Sequence, residues 1–331
     1  MLQSRRFKKA GSGFAIAAVF TFASLASAGA QTKWDMPTPY GDSNFHTQNI
    51  AEFAQDVSAG TDGSLTIQVH SAGSLFKHPE IKNSVRKGLA PIGEVLISRL
   101  SNEDPVFGVD SVPFMADSYD AAWDLYQASK PALQEKLGEQ GLQLLYAVPW
   151  PPQGIYAKQD IDSIDDLRGL KMRAYNASTE RLVQLAGAVP TQVEVPDLPT
   201  AFSTGRVEAM ITSPSTGANS KAWDFLTHYY DTQAWLPKNM VIVNKRAFDR
   251  LSDAEKAAIL EAAGAAETRG WEASKAETAA KTKVLIDNGI KVSAPSDVLQ
   301  GSLREIGAAM VGEWQESAGD DGAAIVEAYQ N

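Results

Sequence analysis

The sequence predicts an α/β fold, and two features carry that expectation. Strand-like and helix-like segments alternate along most of the chain, the pattern of layered strands and helices. The last third then changes into a run rich in Ala, Glu and Lys with few interruptions, the composition of one long helix. Neither a tandem repeat nor a low-complexity linker divides the chain into independent halves.

Leu65 to His70 alternates apolar and polar side chains, as a half-buried strand does. Pro79 to Gly88 reads as a helix, Ile92 to Ile97 as a strand, Tyr119 to Leu137 as a helix and Gly141 to Val148 as a strand. Ser163 stands three residues before Asp166, a weak capping signal. A short strand is expected over Leu170 to Ala174 and helices over Ala177 to Ala186 and Leu198 to Ser203, the latter stopped near Gly205. Met240 to Val243 is a further short strand. Ser252 and Glu255 form a capping box. The helix they open is expected to run to Asp287, roughly ten turns, with Gly264, Gly270 and Thr282 as its weak points. Two shorter helices are expected after Pro295.

The N-terminus reads as an export signal. Arg5, Arg6, Lys8 and Lys9 precede an apolar run from Phe14 to Ala26, and both Ala26-Ser27-Ala28 and Ala28-Gly29-Ala30 fit the small-x-small rule for cleavage. Residues 1–30 are therefore expected to be a signal peptide, cut after Ala30, and the mature chain to be periplasmic. The apolar run is about half the ~20 residues a membrane span needs, and no long apolar stretch follows. Cysteine is absent, which excludes a lipid anchor on Cys and any disulfide framework. Loss of the four basic residues of the leader takes the net charge from −10 to −14. An acidic chain without basic runs is a poor partner for nucleic acid or an anionic membrane surface. About 300 residues remain, enough for one large domain or two ordinary ones.

Catalytic signatures are mostly missing. There is no G-x-S-x-G elbow, no Walker loop and no G-x-G-x-x-G in the mature chain. His46, His70, His78 and His228 include no H-x-x-x-H pair; His70 and His78 either lie close in space or read as surface or loop histidines, and neither a metal nor a cofactor is expected. Asp320-Asp321-Gly322 lacks the ligand spacing of a calcium loop and reads as a solvated turn. No carboxylate pair stands out as acid and base.

Two clusters are more informative. Val148-Pro149-Trp150-Pro151-Pro152-Gln153-Gly154 follows an expected strand, and consecutive prolines force the chain out of a sheet interior there. Trp150 then either lines a cleft or fills a crossing between lobes. Lys171-Met172-Arg173-Ala174-Tyr175-Asn176 leads into a helix near Ala177. An Arg at a strand end beside a helix N-terminus suits a carboxylate, which its fork meets with two parallel hydrogen bonds; the alternative is a surface salt bridge.

The stretch Ile164-Asp165-Asp166-Leu167-Arg168-Gly169-Leu170-Lys171-Met172-Arg173 resembles a signature of the solute-binding proteins of tripartite ATP-independent periplasmic (TRAP) transporters, of the DctP type. Asp197 to Ala209 resembles the helix and turn that follow in that family, Asp110-Ser111-Val112-Pro113-Phe114 its L-P-F stretch, and Gly73-Ser74-Leu75 its early G-x-L loop. The likeness covers essentially the whole mature chain. It implies two α/β lobes, hinged by crossing strands and spanned by one long helix, with the ligand in the cleft, Arg173 on its carboxylate, and membrane permease subunits as partners. The lobes are expected at 31–149 with 238–275 and at 150–237 with 276–331, in a monomer. Where some sialic-acid receptors carry a second Arg, this chain has Gln153; Asp197 replaces the usual Glu, and Ala209 a glycine.

The expected cleft is aromatic and polar: Trp34, Phe45, Trp150, Tyr175 and Trp235, with Gln153, Asn176 and Ser213. Glu94 stands in an otherwise apolar strand, and a Glu there is seldom buried without a partner. It either faces the cleft, where it favours an ammonium, amidine or hydroxyl on the ligand, or faces out, or pairs with Arg99 or Arg86. The rival readings are a periplasmic hydrolase or lyase, and a ligand-sensing module.

Overall fold

This computed structural model describes residues 1, 2 and 31–331. The expected signal peptide lies outside the described residues, apart from its first two positions. From Gln31 the chain runs β1 (Thr32–Pro37), α1 (Phe45–Gly60), β2 (Leu65–His70), α2 (His78–Arg86), β3 (Ile92–Leu96), α3 (Tyr119–Gly138) and β4 (Leu142–Pro149). It continues through β5 (Gly154–Ala157), β6 (Lys171–Ala174), α4 (Ala177–Leu185), β7 (Val189–Gln192), α5 (Leu198–Ser203), β8 (Ala209–Thr212), α6 (Pro214–Asn219) and β9 (His228–Tyr230). It closes with β10 (Lys238–Asn244), α7 (Lys245–Asp249), α8 (Asp253–Asp287), β11 (Lys291–Ser293) and α9 (Asp297–Gln330).

Two bodies of sheet result. In the first, β1 pairs with β2 in parallel, and β10 lies antiparallel between β3 and β4. The second is a six-stranded sheet in the order β11-β9-β5-β8-β6-β7, parallel from β7 through β6 to β8 and antiparallel where β5 enters. Strand β5 opens on Gly154 because a Cβ there would stand 2.4 Å from the Tyr229 ring and 2.5 Å from the Tyr230 carbonyl. One apolar core runs through the first body and reaches into the second, and a smaller one gathers Tyr156, Phe202, Tyr229 and Leu285.

The chain crosses between the bodies after β4 and again before β10, and the two crossings bond to each other. Trp150 N–H donates to the Pro237 carbonyl (2.8 Å), Gln153 N–H to Trp235 (3.0 Å) and Ala234 N–H to Gln153 (3.0 Å). Helix α8 is the third link. Ser252 caps it in a reciprocal box with Glu255, as expected. Near its middle Arg269 reaches Asn49 and Asp56 on α1, and Trp271 donates to the Ala147 carbonyl. Further on, Glu277 accepts from Ser215 on α6, and Leu285 enters the second core. This is the two-lobed α/β architecture with one helix spanning both lobes.

The pair of helices expected after Pro295 is present as α9, broken at Gly319, whose φ of 54° and ψ of −131° are not helical. This tail does not rest on the second body alone. Trp314 donates to the Pro105 carbonyl and Tyr329 to that of Met115 in the first, while Arg181 of α4 pairs with Glu313. Asp321, expected in a solvated turn, sits in the resumed helix and pairs with Lys136 at 2.8 Å. Helix α1, strands β5, β7, β8, β9 and β11, and helix α6 add to the elements expected from sequence.

Candidate ligand-binding site

Between the two bodies lies a small cavity. The first body contributes Tyr40, His78, Leu96 and Arg99, the crossings Trp150, Gln153 and Pro237. The second contributes Arg173 and Tyr175, Glu194 and Val195, and Thr212, Ser213 and Thr216. The groups from the second body come from the ends of neighbouring strands β6, β7 and β8, so the parallel pairing sets them side by side.

Arg173 is 3% exposed, and its Nε donates to the Val193 carbonyl at 3.0 Å. Its guanidinium lies over the Tyr175 ring, 4.6 Å from the centroid. Among the described residues no carboxylate comes within salt-bridge distance of it. Burial pushes its pKa down to about 10, which still leaves it charged at neutral pH. A buried cation without a counter-ion costs several kcal/mol, so the site is short of one negative charge. Behind it, the Tyr175 hydroxyl donates to Gln153 Oε1 (3.1 Å) and accepts from Trp235 Nε1 (3.2 Å). Gln153 is fixed in turn by its bond to the Pro151 carbonyl.

Four expected site residues thus line the cavity together with Arg173: Trp150, Gln153, Tyr175 and Ser213. Five others do not. Trp34 is buried on β1, beside a surface groove with Arg86 and Arg250. Phe45 packs its ring edge-on against Trp150, behind the cavity wall. Trp235 supports Tyr175 from behind. Asn176 caps α4 through Thr179 N–H and donates to Ser98 Oγ of the first body at 2.8 Å, acting as a clasp between the bodies.

Glu94 is the fifth, and none of the alternatives expected for it holds. It is 2% exposed and lies outside the cavity, paired with neither Arg99 nor Arg86. Its carboxylate accepts from the Thr38 hydroxyl and from Asn239 Nδ2 (2.8 Å), with His46 Nδ1 at 3.6 Å. Burial pushes its pKa up to about 7. Asn239 Oδ1 accepts from Trp150 Nε1 (3.0 Å), so Glu94 supports the wall at second hand. A cleft carboxylate for a cationic ligand group is therefore not what Glu94 provides.

Sequence reasoning missed Tyr40, His78, Arg99, Glu194, Thr212 and Thr216. His78 read as a surface or loop histidine; it is buried, and Leu96 N–H donates to its Nε2 at 3.2 Å. Its Nδ1 then carries the proton, facing Glu194 Oε2 at 3.5 Å. Glu194 Oε1 accepts from Arg99 Nη1 at 2.6 Å. Burial alone would raise the Glu194 pKa, but the His78 hydrogen bond and the Arg99 charge outweigh it and hold the carboxyl at about 2. Thr212 is 3% exposed and lines the cavity from the end of β8.

Two bodies closed over a small cavity with one uncompensated buried cation define a solute receptor. Residues 39–317 match the family of bacterial extracellular solute-binding proteins, family 7, and the chain belongs to that family. It is similar to two extracytoplasmic solute receptors of Bordetella pertussis. DctP7 is 47% identical with a TM-score of 0.90, covering 91% of this chain and 100% of that one; DctP6 is 44% identical with a TM-score of 0.89, covering 90% and 99%. Both were solved binding pyroglutamic acid. The sialic acid-binding periplasmic protein SiaP of Vibrio cholerae is 21% identical over 84% of this chain and 88% of its own length. The chain is thus a solute-binding receptor of the TRAP type and not an enzyme, and neither the hydrolase or lyase reading nor the sensing reading gains support. Among the described residues no helix is long and apolar enough to cross a membrane.

Proposed function

We propose that this receptor captures a small carboxylate, pyroglutamate foremost, in the cavity under Arg173 and delivers it as a monomer to the membrane permease subunits of a TRAP transporter. One observation carries the reading: a buried guanidinium, without a carboxylate partner among the described residues, lining the cavity between the two bodies. Arg173 takes the ligand carboxylate with its fork, in a place where the protein supplies no competing anion. The rings of Trp150, Tyr40 and Tyr175 offer flat surface to a small ring, and the Thr212 and Ser213 hydroxyls offer partners for a lactam N–H and carbonyl. Receptors at 41–47% identity that bind pyroglutamate or pyroglutamic acid support that choice.

In the same reading, residues 1–30 direct export to the periplasm, and the lobes divide at 31–149 with 238–275 and at 150–237 with 276–331, α9 lying across both. The test is a thermal-shift and calorimetric screen of pyroglutamate against proline, glutamate and glucuronate. A hundredfold excess over Kd stabilises the fold by about 2.7 kcal/mol. Pyroglutamate should give the largest shift; a best ligand without a carboxylate would overturn the reading.

A further inference from the structure

Arg173 is not the only cation in the cavity. Arg99 lines it too, and so does Glu194, the single carboxylate among the described lining residues. Arg99 belongs to the segment after β3 in the first body, and Glu194 to the segment after β7 in the second, so the 2.6 Å bond between them is made across the cleft. His78 adds no charge: its Nε2 accepts from a backbone N–H, and its Nδ1 proton faces the other oxygen of Glu194. The two arginines and one glutamate leave a net charge of one positive.

We propose that Glu194 sets the charge of the ligand: by engaging Arg99 it leaves Arg173 as the sole uncompensated cation and restricts the cavity to monoanions. The inference rests on the reading of the cavity as a carboxylate site and names the group that decides which carboxylates pass. A monoanion balances Arg173 and leaves no unpaired charge. A dianion of the same size either leaves its second carboxylate without a counter-charge in a partly buried cavity or has to displace Glu194 from Arg99. Both routes are costly, because a partly buried charge that loses its partner recovers little from solvent. Arg99 is 16% and Glu194 27% exposed, so water screens their pair less than a surface pair. The charge match also requires closure, since its two halves sit on different bodies.

Calorimetry on two size-matched pairs, pyroglutamate with glutarate and levulinate with succinate, tests this in wild type, Glu194→Gln, Arg99→Gln and the double variant. Wild type should prefer the monoanion of each pair by roughly a hundredfold. Glu194→Gln frees Arg99, and the preference should fall by about tenfold or more as the dianions gain. Arg99→Gln turns Glu194 loose on the cavity and should weaken pyroglutamate by about tenfold, and the double variant should restore it to near wild type. An unchanged preference in a folded Glu194→Gln protein overturns the inference. If that variant does not fold, Arg99→Gln against the double variant decides: a pyroglutamate affinity that fails to drop in the first or to return in the second overturns it equally. Wild type that binds pyroglutamate while the variants keep its preference sinks this inference alone. Wild type that ignores pyroglutamate but prefers levulinate to succinate, with the variants behaving as stated, sinks the named ligand and upholds the charge rule. Wild type that prefers the dicarboxylates sinks both.

Discussion

The guanidinium of Arg173 lies over the ring of Tyr175, its Cζ 4.6 Å from the centroid, the two residues standing two positions apart at the same strand end. The ring desolvates one face of the cation and meets it with the negative face of its π-system. Arg173 is thereby held with its Nε on the Val193 carbonyl and its remaining nitrogens free for a ligand.

Arg173→Ala should weaken carboxylate binding by about 2–5 kcal/mol, since truncation leaves the ligand anion buried and alone. Arg173→Lys should also bind poorly, because an ammonium cannot form the planar fork. Calorimetry on both variants checks this, and affinity retained by either would remove Arg173 from the site.

Tyr175→Phe keeps the ring but strands Trp235 Nε1–H, whose acceptor is the lost hydroxyl. Stability in urea should drop by about 1–3 kcal/mol with only a small change in affinity. Tyr175→Leu removes the aromatic face and should weaken binding by about tenfold. Equal affinities in the two variants would show that the ring does not position Arg173.

Glu94 makes stability depend on pH. Its ordinary pKa is 4.5 and burial raises it to about 7, so the folded protein holds that proton more tightly than the unfolded chain. Its contribution is complete below pH 4.5, fades as pH rises, and is gone above about pH 7. Glu94→Gln does not titrate. Its stability relative to wild type should therefore rise by up to about 3 kcal/mol across that window and then level off. Urea titrations at about pH 4.5, 6 and 8 read the difference; a flat one would contradict the buried, protonated state.

Two glycines of α8 should respond oppositely to alanine. Gly264 is exposed, with nothing within 4 Å of an added Cβ. Gly264→Ala should stabilise by about 0.5–1 kcal/mol through helix propensity. At Gly270 an added Cβ would stand 2.3 Å from Val148 Cγ2 and 2.8 Å from Asn49 Nδ2. Gly270→Ala should destabilise by about 1–3 kcal/mol despite the same gain in propensity. Thermal melts of the two variants decide it.

What sequence conveyed was local. The Ser252–Glu255 box, the long helix it starts, and the strand end carrying Arg173 are each written within a few consecutive residues. Helix α1 stayed hidden because its buried face includes His46, Thr47 and Asn49, and buried polar residues blur a 3.6-residue apolar stripe. Asn49 is there to donate to the Ala266 carbonyl and accept from Arg269, partners more than 200 positions away. Strands β5 and β8, four residues each and wholly buried, are too short to show alternation. Trp34 lies within β1 and Trp235 just before β10, and a place on or beside a strand does not say which way a ring turns. The Arg99–Glu194–His78 group exists only where two sheets meet, which no spacing along the chain can report.

The crossings after β4 and before β10 are bonded into one ribbon, and that has a kinematic consequence. Two separate tethers permit twisting as well as opening, whereas a fused pair behaves as a single axle. Any rotation that parts the sheets moves an atom in proportion to its lever arm from that axle. Trp150, Gln153 and Pro237 ride on it and scarcely travel. Tyr40, His78, Glu194 and Val195, which the cavity shares with an outer groove, stand at its mouth. The mouth is therefore complete only when the two bodies meet, since Tyr40 and His78 belong to one and Glu194 and Val195 to the other.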